Sequence, residues 1–81
     1  MQSELDEIQL EITKRIYKLF LEKFNGNKLA FAKAAKCDEK TIRRLFDNKQ
    51  GMTINLLSKI SFALKIKPSY LIENLSITVK D

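Results

Sequence analysis

The 81-residue chain has no histidine, no tryptophan and a single cysteine, Cys37. One thiol cannot close an internal disulfide, and without histidine or several cysteines neither a zinc centre nor a catalytic triad can be assembled. Enzymatic activity, a metal and a cofactor are therefore not expected. Two glycines and one proline leave few places for tight turns, which argues against a many-stranded sheet. No apolar run approaches the roughly 20 residues needed to span a bilayer. The opening residues Gln2, Ser3, Glu4 and Asp6 are unlike a secretory leader, so the expected setting is cytoplasmic, with no membrane partner.

Apolar residues make up 44% of the chain, enough for one small helical core, and the length allows a single domain, 1–81. The net charge of +5 is unevenly spread. Residues 1–12 hold four acids and no base, whereas residues 25–52 hold seven bases against three acids. A basic region focused on so small a domain suggests a polyanionic partner, nucleic acid before membrane.

Hydrophobic spacing and cap residues predict an all-α chain of five helices. Residues 3–24 read as one long helix. Ser3 with Asp6 gives a capping-box-like start, and Glu4, Asp6 and Glu7 suit the positive end of the helix dipole. Ile8, Ile12, Ile16, Leu19 and Phe20 form one apolar face, with a second stripe of Leu10, Tyr17, Leu21 and Phe24 beside it. Lys14, Arg15, Lys18 and Lys23 fall in the later half. Asn25, Gly26 and Asn27 stop this helix and cap the next, 28–35. Lys36 and Cys37 leave room only for a tight corner, and Asp38 is placed to cap a third helix running to about 47. After a polar loop, Thr53 caps a fourth helix in which Ile54, Leu57, Ile60, Ala63 and Leu64 keep helical spacing. Pro68 then precedes a short fifth helix, 69–74. The tail 75–79, "LSITV", alternates like a half-buried strand.

Helices 28–35 and 39–47 have the dimensions of a helix-turn-helix. Ala32 lies where they should cross. At about 100° per residue, Ile42, Leu45 and Phe46 share one side of the second helix, and Lys40, Arg43, Arg44 and Asp47 share the other. Residues 27–72, "NKLAFAKAAKCDEKTIRRLFDNKQGMTINLLSKISFALKIKPSYLI", resemble the lambda-repressor-like, Cro/C1-type helix-turn-helix domain. The correspondence includes Ala32, the "TIRRL" of residues 41–45, the cap Thr53 and the "LLSKISFALKI" helix. It departs at Lys36 and Lys65, where that family usually has glycine, and in the length of the first helix. A lysine in the left-handed conformation costs about 1 kcal/mol.

The resemblance implies that helix 39–47 enters the major groove of double-stranded DNA, with Glu39, Lys40, Arg43 and Arg44 facing the bases. Arg44 would face deepest, its fork matching guanine O6 and N7. Arg43 would reach a phosphate or pair with Glu39. Glu39 would accept from cytosine N4 or orient Arg43. Lys28, Asn48, Lys49 and Gln50 match phosphate-contacting positions, and Thr41 is shared between phosphate contact and packing near the corner. The implied function is a transcriptional regulator of repressor type, acting as a homodimer because one such helix reads too few base pairs. Two alternatives stand beside it: an antitoxin that also binds a toxin through its ends, and a helical adapter whose basic face meets RNA or an acidic protein.

Three further expectations concern residues outside the motif. Cys37 takes the place of a small aliphatic residue and is expected to be a buried structural thiol. Phe62, at a position usually polar, is expected to contact the long first helix or a partner subunit. The overhang 1–12, with Leu5, Ile8 and Ile12, and the tail 75–81 are expected to bury themselves against a second copy or another protein partner, the alternative being an overhang folded back on its own subunit and a frayed tail.

Overall fold

A computed structural model describes residues 4–73, with side chains from residue 7 onward. Every regular element among the described residues is a helix: α1 Glu4–Phe24, α2 Lys28–Ala35, α3 Glu39–Phe46, α4 Ile54–Leu64 and α5 Pro68–Ile72. The all-α, five-helix expectation holds, and the long first helix holds with it. The tail 75–79 and the cap residue Ser3 lie outside the described residues.

The core is built on α1. Ile12, Ile16 and Phe20, four residues apart, are all buried, and Ile8, Leu19 and Phe24 pack against them. Phe20 is the hub of an aromatic cluster. Its ring lies 5.1 Å from Phe31 of α2 and 5.0 Å from Phe46 of α3. Phe24 meets Phe31 at 5.1 Å, and Tyr17 meets Phe46 edge-on at 5.0 Å. These rings lock α1 to the α2–α3 pair, each contact adding about 0.5–1.5 kcal/mol beyond the area it buries. Leu56, Ile60, Ala63 and Leu64 of α4 and Leu71 of α5 complete the core.

Where helices begin and end follows from individual residues. Asn27 Oδ1 accepts from the Ala30 amide at 3.0 Å, and Thr53 Oγ1 accepts from the Leu56 amide at 3.0 Å, so both expected caps are made. Asp38 occupies the cap position of α3, and its backbone carbonyl accepts from Thr41 and Ile42, but its carboxylate makes no capping bond. That side chain is exposed and acts only as a negative charge beside the positive end of the helix. Lys36 and Lys65 end α2 and α4 in the left-handed region, at φ 58° and 59°. In both corners the next amide closes the helix: Cys37 donates to Ala32 and Ile66 to Ser61, each at 3.0 Å, the pattern that left-handed helix ends require. Asn25 and Gly26 are also left-handed, which turns the chain from α1 into α2 within two residues.

The expectations for Ile54 and Cys37 are corrected. Ile54 is 83% exposed and Leu56 takes its place in the core, because the buried face of α4 is the 56, 60, 63, 64 row, rotated away from the first residue after the cap. Of the overhang 1–12, Leu5 lies outside the residues whose side chains are described. Ile12 is buried and Ile8 half-buried, with Met52 of the α3–α4 loop packed on the same core. Phe62 is 69% exposed, with the Lys36 ammonium 5.9 Å from its ring centre, a cation–π geometry; of the two expected contacts, the first helix does not bury the ring. Cys37 is half-buried, at the corner and edge of the core, and not sealed inside it.

Polar side chains of α1 fasten the later segments. Gln9 Nε2 donates to the Gln50 carbonyl at 2.8 Å, and the Met52 amide donates to Gln9 Oε1 at 3.2 Å. Arg15 Nη1 donates to the carbonyls of Leu71 and Glu73 at the end of α5. Lys23 Nζ donates to the Leu64 carbonyl at the end of α4, at 2.6 Å, satisfying a carbonyl that the helix itself leaves open. Ser61, buried within α4, bonds back to the Leu57 carbonyl at 2.8 Å.

Candidate nucleic-acid interface

The corner between α2 and α3 is three residues, 36–38. Its left-handed lysine and the buried Ala32 and Ala35 bring the two short helices together over Ile42 and Leu45, both fully buried. With that side of α3 inside, Lys40, Arg43, Arg44 and Asp47 are all exposed on the other. Thr41 lies between the two faces and is half-buried.

Arg43 Nη2 donates to Glu39 Oε1 at 2.8 Å, one turn apart on the helix. The Arg43 side chain is nonetheless 62% exposed, so the pair orients the guanidinium while leaving much of it open. Arg44 extends toward the following loop, its Nη2 3.4 Å from the Lys49 carbonyl. At that length the bond is weak, and the fork is easily redirected. Lys40 makes no side-chain hydrogen bond among the described residues.

The loop after α3 is held from both ends. Asn48 is left-handed at φ 60°, its amide donates to Leu45, and the Lys49 amide donates to Arg44 at 2.8 Å. Gln9 then grips Gln50 and Met52 from α1. Lys49 is exposed and Gln50 half-buried. Lys28, half-buried at the first residue of α2, borders one groove together with Asn48. Of the residues singled out from sequence, Lys40, Arg43 and Arg44 share the exposed face of α3 with the half-buried Glu39 at its edge, Lys28 and Asn48 border one groove beside its far end, and Lys49 and Gln50 follow in the loop.

Sequence reasoning missed two sets of residues. Lys14 and Lys18 border the same groove as Lys28 and Asn48; their spacing of four residues on a helix was the available signal. Gln9, which shapes the loop carrying Lys49 and Gln50, carries no sequence signal. Among the described residues no group of three or more acidic, cysteine or histidine side chains could hold a metal ion, and no helix is long and apolar enough to cross a membrane.

Burial pushes the Cys37 thiol above its ordinary pKa, against the opposing pull of Lys59 and with a smaller push from Asp38. A thiol held protonated is a poor nucleophile, consistent with a packing role for this corner residue.

No family model, curated protein or solved structure matches the chain. A functional reading accordingly rests on what this surface can do. Chemically, it offers two guanidinium forks and an ammonium on one narrow helix, flanked by a lysine and a polar loop at one end. Such a surface suits a polyanion with a groove wide enough to admit a helix.

Proposed function

We propose that the chain binds double-stranded DNA in a sequence-specific manner as a helix-turn-helix transcriptional regulator, with α3 in the major groove. The observation that carries this reading is the division of α3. Ile42 and Leu45 are fully buried while Lys40, Arg43 and Arg44 stand exposed on the opposite face. The resemblance of residues 27–72 to lambda-repressor-like domains supports it.

In this reading Arg44 recognises guanine through its O6 and N7 acceptors. Arg43, oriented by Glu39, reaches the backbone or an adjacent base edge. Lys40 adds a third cation within the groove. Lys28, Thr41, Asn48, Lys49 and Gln50 hold phosphates and set the register without reading sequence. The protein acts as a homodimer on two half-sites, as a repressor where its operator overlaps a promoter.

Selection of binding sites from random duplex DNA tests the proposal directly. The expected result is an enriched sequence with two related half-sites centred about one helical turn, roughly 34 Å, apart. Absence of any enriched duplex, or equal retention of single-stranded RNA, refutes it.

A further inference from the structure

Beside the end of α3 lies a groove of about 580 Å³ whose long wall is α1. Its apolar surface comes from Leu10, Tyr17 and Leu21, together with Phe46 of α3. The three α1 residues are 38%, 43% and 44% exposed, on the side of α1 turned away from Ile12, Ile16 and Phe20. Around this apolar strip stand Lys14, Lys18 and Lys28, with Asp47 as the one acid at the rim. Thr13 also lines the groove. The residue is 6% exposed, yet its buried Oγ1 has no hydrogen-bond partner. A buried hydroxyl left unpaired in a folded protein calls for an explanation, and here it adjoins a space of ligand size.

We propose that this groove binds a small amphipathic anion, an aliphatic or aromatic carboxylate, and that its occupancy competes with DNA. The class of ligand follows from the lining. An apolar strip walled by Leu10, Tyr17, Leu21 and Phe46 takes an apolar body. Three ammoniums against one carboxylate select a single negative head group and reject a cation. Competition follows from position and rests on the DNA-binding reading above. Lys28 and Asn48 border the groove and are also assigned to phosphates, so an anion drawing on Lys28 removes a contact the duplex needs. By linkage the effect is mutual: DNA must weaken the anion by the same factor.

The test uses the full chain with 8-anilinonaphthalene-1-sulfonate as fluorescent probe and decanoate as displacing ligand. The expected result is saturable one-to-one probe binding, displaced by decanoate but not by a cationic amphiphile of equal chain length. Amide shifts in the ¹H–¹⁵N spectrum should be confined to residues 10–21, 28 and 46–48. Leu21→Glu, at an exposed position that leaves the core intact, should weaken the probe about tenfold or more, and Lys14→Gln with Lys18→Gln several-fold, with unchanged helical circular dichroism. Multiple weak sites, displacement by the cation, or binding indifferent to Leu21→Glu overturns the proposal. So does a chain that self-associates, excludes the probe and becomes monomeric on Leu21→Glu, since a second copy then fills the groove. The competition arm is separate. Saturating decanoate should weaken a selected duplex about tenfold; an unchanged duplex affinity with the groove occupied overturns the coupling. Failure of the chain to bind any duplex, with localised probe binding intact, would refute the DNA reading and leave the anion site standing.

Discussion

Replacing Gln9 with alanine removes both bonds that tie the α3–α4 loop to the first helix. The Gln50 carbonyl loses a donor at 2.8 Å and the Met52 amide loses an acceptor at 3.2 Å. Each such bond contributes about 0.5–1.5 kcal/mol net, and an unpaired buried group costs more. Gln9, Gln50 and Met52 are all half-buried, so water recovers part of the loss, and about 1.5 kcal/mol is the expected total. For a domain of this size that corresponds to a fall in Tm of roughly 6–12 °C. Gln9→Glu separates the two contacts, because a carboxylate still accepts from the Met52 amide but cannot donate to the Gln50 carbonyl. It should cost about half as much at neutral pH. Thermal unfolding of the three proteins, with hydrogen exchange at the Met52 amide, measures all of this. An alanine variant within 2 °C of the parent by the scale used above, or a Met52 amide equally protected in both, would show that the loop is held by packing alone.

Other outcomes follow from the same geometry. Arg44→Ala should lose about 1–3 kcal/mol of discrimination at one base position of a selected operator, whereas Lys28→Ala should weaken all duplexes alike and lower the salt slope by about one; an unchanged consensus for Arg44→Ala would remove that residue from the base-reading face. Phe20→Ala deletes the hub of the aromatic cluster, fully buried between α1, α2 and α3, and should cost about 3–5 kcal/mol in denaturant unfolding, with a loss under 1 kcal/mol on the same scale contradicting the core described. The Cys37 thiol, raised by burial, should alkylate more slowly in the folded chain than in urea when both are held near the ordinary thiol pKa. Because its folded pKa lies above its unfolded one, it contributes stability below the unfolded value, and that contribution falls away as pH rises through the folded value; equal alkylation rates would refute the assignment.

The helices were readable because their ends are marked by residues with a local mechanism. Asn27 and Thr53 cap, Pro68 opens α5, and Asn25 with Gly26 breaks α1. Periodicity likewise placed Ile16, Phe20, Ile42 and Leu45 inside. It could not tell which of several apolar stripes would be covered, since that depends on what packs from elsewhere in the chain. Leu10, Tyr17 and Leu21 kept helical spacing and stayed half in solvent, while Ile12 went into the core, three residues after the Gln9 that accepts from Met52, 43 residues on. Contacts from a side chain to a distant carbonyl, as made by Gln9, Arg15 and Lys23, leave no pattern in sequence at all. For the candidate interface, the exposed cations of α3 were legible from one helix alone; the spacing of Lys14 and Lys18 put them on one side of α1, but their place beside Lys28 and Asn48 emerges only once α1 is packed.

The ties from α1 have a bearing on how the chain is made. Their partners lie 41 residues on for Gln9 and Lys23 and 56 residues on for Arg15, with Leu71. A helix translated first is thus completed last, when α5 has left the ribosome. Until then the Ile12, Ile16 and Phe20 face has only part of its cover, while α2, α3 and their corner can assemble from neighbouring sequence. Folding of such a nascent chain proceeds by local pairs that wait for their longest element to be capped from the other end. Emergence of α4 and α5 is then the step at which the polar ties of the first helix can close.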